Sequence, residues 1–216
     1  MRPQLVIGNK NYSSWSLRPW LAARHAGIDF DEIRIALDTP ETAAQLRHYS
    51  PSGRVPVWRE GELVVWDSLA ICEYFAERAP VLWPADSTAR AVARSVSAEM
   101  HSGFTALRAD MSMNARARGR RVPVTPEIAA DIDRITAIWS DCRSRFGADG
   151  PWLFGAFSIA DALFGPVVLR FVTYGVSRPG VVDDYVATWM ADSHLQAWIA
   201  TAERETEVIE QDECGR

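Results

Sequence analysis

The amino-acid sequence predicts an α/β domain followed by an all-α domain. Three observations carry that expectation. From Leu5 to Ala79, short β-rich runs alternate with helical stretches in the order β-α-β-α-β-β-α. Pro84-Ala85-Asp86-Ser87 then reads as a linker. Beyond it the period-two alternation disappears and apolar residues recur three or four apart, the spacing of one helix face. The expected boundaries are residues 1–80 for the α/β domain, 81–87 for the linker and 88–216 for the helical domain.

Each element has its own signal. Leu5-Val6-Ile7-Gly8 reads as a strand, and Trp15 to Gly27 as a helix stopped by glycine. A start near Ser14 to Ser16 puts Pro19 within the first turn or so, where a missing N–H costs least. Ile28-Asp29-Phe30 with Ile33-Arg34-Ile35 alternates as a half-buried strand does. Thr39-Pro40-Glu41 opens a helix to about Tyr49, which Ser50-Pro51-Ser52-Gly53 closes. Val55 to Trp58 and Leu63 to Trp66 flank Glu60-Gly61-Glu62 as a hairpin. Pro56 cannot donate to a ladder and belongs at an edge or a special bond, although X-Pro bonds are ordinarily trans. Asp67-Ser68 caps a third helix, Leu69 to about Arg78. In the second half, Ala89 to about Ala115 reads as one long helix. Pro126 opens another, with Ile128, Ile132, Ile135, Ile138 and Trp139 on one face, ending near Phe146-Gly147. Ser158-Ile159-Ala160-Asp161 has capping-box spacing, a structural role. Asp183 to Trp189 and Ser193 to about Glu207 are further helices, and the acidic tail to Arg216 is expected to fray.

Composition bounds the function. With 216 residues, 48% of them hydrophobic, the chain can fill the core of one large domain or two small ones. The longest uncharged apolar run, near Ala162 to Leu169, is too short for a bilayer and is broken by Gly165 and Pro166. The N-terminus carries no charged-then-apolar signal, so a cytoplasmic location without membrane partners is expected. A net charge of −5 gives no general reason to bind nucleic acid. Cys72, Cys142 and Cys214 are odd in number and far apart, which suits reduced thiols rather than a disulfide framework or zinc pair. His25, His48, His101 and His194 show no metal-ligand spacing, so no metal is expected. Arg108, Arg116, Arg118, Arg120 and Arg121 cluster around Met111 and Met113. Charge runs usually face water, so this stretch reads as a solvated helix end and loop; contact with an anionic substrate is the other reading.

The stretch with chemical character is Asn11-Tyr12-Ser13-Ser14-Trp15-Ser16-Leu17-Arg18-Pro19-Trp20, where a strand passes into a helix through a run of hydroxyls. A helix N-terminus presents unpaired N–H groups and partial positive charge, so an anion such as a thiolate is stabilised beside it. Ser13 or Ser14 could equally serve as the helix cap.

In order and spacing, Ser13-Ser14-Trp15-Ser16-Leu17-Arg18, Arg54-Val55-Pro56, Asp67-Ser68 and Phe157-Ser158-Ile159-Ala160-Asp161 resemble the cytosolic glutathione transferases over nearly the whole chain. Serine in place of an early cysteine or tyrosine is most similar to the serine-type, theta-like and zeta-like classes. The resemblance implies a thioredoxin-like N-terminal domain, an all-helical C-terminal domain and a homodimer. It implies that Val55 pairs its backbone with the cysteinyl part of glutathione and that Pro56 is cis. Asp67 would meet the γ-glutamyl ammonium, Ser68 and its helix N-terminus the carboxylate, and Arg54 the glycyl carboxylate. The critical hydroxyl of serine-type classes lies four or five residues before the arginine that Arg18 matches. This gives Ser14 first and Ser13 second, with Tyr12, as the phenol of tyrosine-type classes, third. Trp15 and Pro19 depart from the family pattern and bear on the electrophile side of the pocket.

The expected function is therefore a transferase that uses glutathione as co-substrate, without a further cofactor, and joins it to an electrophilic small molecule. A glutathione-dependent isomerase of the maleylacetoacetate type and a non-catalytic binding or regulatory protein are the rival expectations. Absence of cysteine from the turn argues against disulfide reduction.

Overall fold

The computed structural model describes residues 2–216. Among these, β1 (Gln4–Ile7), β2 (Asp31–Arg34), β3 (Val57–Glu60) and β4 (Leu63–Val65) form one sheet in the order β2-β1-β3-β4. β1 and β2 are parallel and joined by α1 (Ser14–His25), whereas β3 pairs antiparallel with both β1 and β4. The strand period of two sends Leu5 and Ile7 to one face and Val6 to the other. The first face joins Trp58 and the main core; on the second, Val6, Ile35 and Val57 pack with Leu46 and Tyr49 of α2 (Thr42–Tyr49). With α3 (Ser68–Arg78) this is the expected thioredoxin-like βαβαββα unit.

The second half is helical: α4 (Ser87–Ser102), α5 (Thr105–Asp110), α6 (Pro126–Phe146), α7 (Ile159–Tyr174), α8 (Val181–Ala191) and α9 (Ser193–Ala202). α7 is its axis, buried on all sides from Ile159 to Phe171. Burying a helix start requires its free N–H groups to be paired, and Asp161 meets part of that need. Its Oδ2 accepts the Ser158 N–H and hydroxyl, each at 2.9 Å, while Oδ1 accepts the Leu153 N–H at 3.0 Å and the Tyr185 hydroxyl at 2.9 Å. α7 crosses α1 at Gly165, where an added Cβ would stand 2.9 Å from Leu21 Cδ1. Close contact there merges the two halves into one apolar core. No helix among the described residues is long and apolar enough to cross a membrane.

Four expectations need correction. The single helix expected over Ala89–Ala115 is two, α4 and α5, because Gly103 closes the first and Phe104 turns left-handed at φ 60°, ψ 45°. That conformation costs a non-glycine residue about 1–2 kcal/mol, and burial of the phenyl ring, about 1.5–3 kcal/mol, offsets it. α1 begins at Ser14, which puts Pro19 in its second turn and not at its start. β2 is shorter than expected, since Ile28 to Phe30 belong to the approach to it. The acidic tail does not fray. Glu205 and Glu213 are buried, the former accepting the Lys10 and Asn11 N–H groups at 2.8 and 3.0 Å.

Candidate active site

The hydroxyl run divides its labour. Ser13 is the N-cap of α1, its Oγ accepting the Ser16 N–H at 3.4 Å and lying 2.8 Å from Ser16 Oγ. Ser16 Oγ in turn accepts the Gly8 N–H at 3.1 Å, tying the helix start to the end of β1. Ser14, the first residue of the helix, makes no side-chain hydrogen bond to the described residues and lines a cavity of about 810 Å³. Of the three serines it has the hydroxyl left over for a ligand. The Tyr12 hydroxyl is committed elsewhere: it donates to Glu213 Oε1 at 2.6 Å and accepts from Arg116 at 2.9 Å. Burial, then the Glu213 carboxylate, pushes this phenol above its ordinary pKa, which makes it a poorer partner for a thiolate.

The turn is held from the far end of the chain. Besides Glu205, Asn11 is met by the segment after α5, with its Oδ1 accepting the Arg116 N–H at 2.9 Å and its carbonyl the Ala115 N–H at 3.0 Å. Trp198 of α9 donates to the Lys10 carbonyl at 2.8 Å. Arg116 and Arg120, expected to be solvated, instead converge on Glu213, with Arg120 Nη2 at 2.5 Å from Oε2.

A second cavity of about 520 Å³ adjoins the first, the two sharing Trp15, Arg54, Val55 and Arg108. It collects the other expected binding residues: Val55, Pro56, Asp67, Ser68 and Arg54 all line it. The Val55–Pro56 bond is cis, as is Trp66–Asp67. Val55 stands just outside β3 and takes part in none of the ladder pairings. Asp67 caps α3, its Oδ1 accepting from Leu69 and Ala70 at 3.0 and 3.3 Å, and its Oδ2 lies 2.8 Å from His101 Nε2. Burial, opposed by Asp67, holds His101 below its ordinary pKa. Ser68 is fully buried and its Oγ has no partner. An orphaned hydroxyl at a helix N-terminus suits a carboxylate. Arg54 is exposed.

Sequence reasoning missed the positive charge around Trp15. The Arg18 and Arg108 guanidiniums lie 4.3 and 4.4 Å from the centroid of that indole. Arg18 is fully buried, with Nε and Nη1 unpartnered, and burial followed by the charges of Arg108 and Arg170 pushes it down to about 9. Burial, then Arg108, lowers Arg170 to about 10. Both remain charged at neutral pH. The available signals were Arg108, in the arginine-rich stretch, and Arg170, the one charge between Ala162 and Phe171. No group of His, Cys, Asp and Glu among the described residues gathers in the number a metal ion needs.

A thioredoxin-like unit with a cis-proline beside an open hydroxyl, backed by a helical domain, defines the glutathione transferase class of fold. Residues 12–78 match the family "Glutathione S-transferase, N-terminal domain". The chain is 32% identical over 108 residues to a "Probable maleylacetoacetate isomerase" of Caenorhabditis elegans, an alignment covering 49% of this chain and 50% of that one. The chain thus spans about half the length of that relative. A glutathione transferase homolog from Burkholderia with bound glutathione superposes with a TM-score of 0.68 at 22% identity, covering 95% of this chain and 99% of the other. For the theta class enzyme of Xanthomonas axonopodis pv. citri with glutathione bound, the values are 0.65, 24%, 94% and 100%. Residues 12–78 thus match the N-terminal domain of the glutathione S-transferases, and the chain as a whole has the glutathione transferase fold.

Proposed function

We propose that the protein is a glutathione transferase in which Ser14 donates a hydrogen bond to the glutathione sulfur and keeps it ionised. The observation that carries this reading is the free Ser14 hydroxyl at the first turn of α1, lining a cavity that Arg54, Arg108 and Arg170 also line. A free thiol has a pKa near ~8.5, and lowering it by about two units needs ~2.7 kcal/mol of preference for the anion. A hydrogen bond to a charged group supplies about 1.5–3 kcal/mol and a helix N-terminus about 0.3–1. One hydroxyl and one helix therefore suffice. Serine acts as a donor, not as a nucleophile: the sulfur attacks an electrophilic carbon, a carbon–sulfur bond forms, and the displaced electron pair leaves with the departing group or is protonated.

Glutathione would lie with its cysteinyl part along Val55 beside cis-Pro56. Its γ-glutamyl carboxylate would meet Ser68 and the start of α3, and its ammonium Asp67. Arg54 is the candidate for the glycyl carboxylate, with Ser13 as the helix cap beside the sulfur. A homodimer in the cytoplasm is part of the same reading, as is the absence of any cofactor. The name of the worm relative favours one alternative, a glutathione-dependent cis-trans isomerase in which the sulfur adds and later leaves. Assays with 1-chloro-2,4-dinitrobenzene and with maleylacetoacetate separate the two. Conjugation without isomerisation is the expected result; isomerisation without a stable conjugate would favour the alternative. If neither occurs and glutathione does not bind, the chain is a non-catalytic protein of the same fold.

A further inference from the structure

We infer that His101 is a positioning residue for the glutathione amino group: reaching across from the helical half, it fixes the Asp67 carboxylate that meets the ammonium. The inference rests on the glutathione reading of the smaller cavity and adds to it a residue from outside that cavity's lining. His101 lies in the last turn of α4, whereas Asp67 caps α3 of the thioredoxin-like half. Their contact, 2.8 Å from Nε2 to Oδ2, therefore joins the two halves beside the site.

The two oxygens of Asp67 have different tasks. Oδ1 is taken by the Leu69 and Ala70 N–H groups, as a helix cap requires. Oδ2 meets His101 and, because a carboxylate oxygen accepts more than one hydrogen bond, keeps a position for a ligand. The Asp67 side chain is half exposed, so the cap alone leaves its plane free to turn; the imidazole is the second anchor. His101 is itself held. Its ring stands edge-on to Trp15 with the centroids 5.3 Å apart, and its carbonyl accepts from Arg108 Nη1 at 3.2 Å. Nδ1 is buried without a partner, which leaves Asp67 as the ring's polar contact among the described residues. Burial disfavours the imidazolium, as do the Arg18 and Arg108 charges, against the pull of Asp67. A neutral donor leaves the Asp67 charge for the ligand. Asp67 is also the one acid in the lining of the smaller cavity, beside the cations Arg54 and Arg108. Glutathione, with one ammonium and two carboxylates, carries the inverse of that balance.

Calorimetry on the intact protein with two unreactive ligands tests this: S-methylglutathione, and its analogue with a glutaryl in place of the γ-glutamyl group, which differ by the ammonium alone. Wild type should bind the first at least about tenfold more tightly. A glutamine amide reaches the place of the imidazole Nε2, and an asparagine amide falls short of it. His101→Gln should therefore largely keep the ratio. His101→Asn should lower it by about threefold or more while affinity for the glutaryl ligand changes little. Should His101→Asn fail to fold, His101→Ala, a better helix former, decides. A strap between the two halves with no part in recognition would weaken both ligands alike, and that result overturns the inference. So does a ratio that survives in His101→Asn, or equal affinity of wild type for the two ligands. If both ligands bind and the ratio ignores His101, the inference alone falls; if neither binds wild type, the glutathione reading falls with it.

Discussion

At the scale of residues, the three serines of the turn look alike in sequence and differ in what they touch. Ser13 and Ser16 bond to each other and to backbone N–H groups, whereas Ser14, which lines the cavity together with Ser13, has its hydroxyl uncommitted among the described residues. Ser13→Ala should therefore lower stability by about 1 kcal/mol, the usual loss for an N-cap, measured by urea unfolding. The hydroxyl run and its place before a helix were legible from residue types alone, because capping and strand-to-helix patterns are local. The division of roles was not, since it depends on where Gly8 N–H points. Arg170 was equally hidden. A cation in an otherwise apolar stretch of helix says that something unusual is buried but not which cavity it lines.

Among the elements, α1 and α7 matter most, because the turn can be positioned only as well as α1 is seated. Their contact at Gly165 leaves no room for a branched side chain. Gly165→Val should cost about 1–3 kcal/mol by overpacking against Leu21, read as a lower midpoint of thermal unfolding with helix content retained below it. Helical periodicity and the capping box at Ser158 made α7 readable in advance. The α4/α5 break was not, because Gly103 alone is tolerated in many helices and nothing local reports the left-handed Phe104. The break has a chemical result. It bares the His101 and Gly103 carbonyls that orient Arg108.

For the whole molecule, the last residues close the design. Glu213 reaches Tyr12, Asn114 and Arg120, and Glu205 holds Lys10 and Asn11, so the C-terminal segment braces the turn that begins α1. An acidic tail reads as solvated because its partners lie about a hundred or more residues away in the chain. Burial raises the Glu213 pKa, but the Tyr12 and Asn114 hydrogen bonds and the Arg216 and Arg120 charges outweigh it and hold the carboxyl below its ordinary value of 4.5. As pH falls, the unfolded chain takes up this proton first. The stabilisation is thus full above the ordinary value and lost as pH drops toward the folded one. Glu213→Gln should cost about 1.5–3 kcal/mol at neutral pH and progressively less as pH falls below the ordinary value, measured by denaturant unfolding across that range. The order of elements was visible in the sequence because it is written in local periodicity; the brace was not. The most direct measurement for the molecule as a catalyst is the ultraviolet titration of the glutathione thiol bound to wild type, Ser13→Ala and Ser14→Ala. The bound thiol should titrate about two units below its free value in wild type and stay low in Ser13→Ala. In Ser14→Ala it should rise by about one unit or more. An unchanged titration in Ser14→Ala, or a rise confined to Ser13→Ala, would contradict the assignment of Ser14.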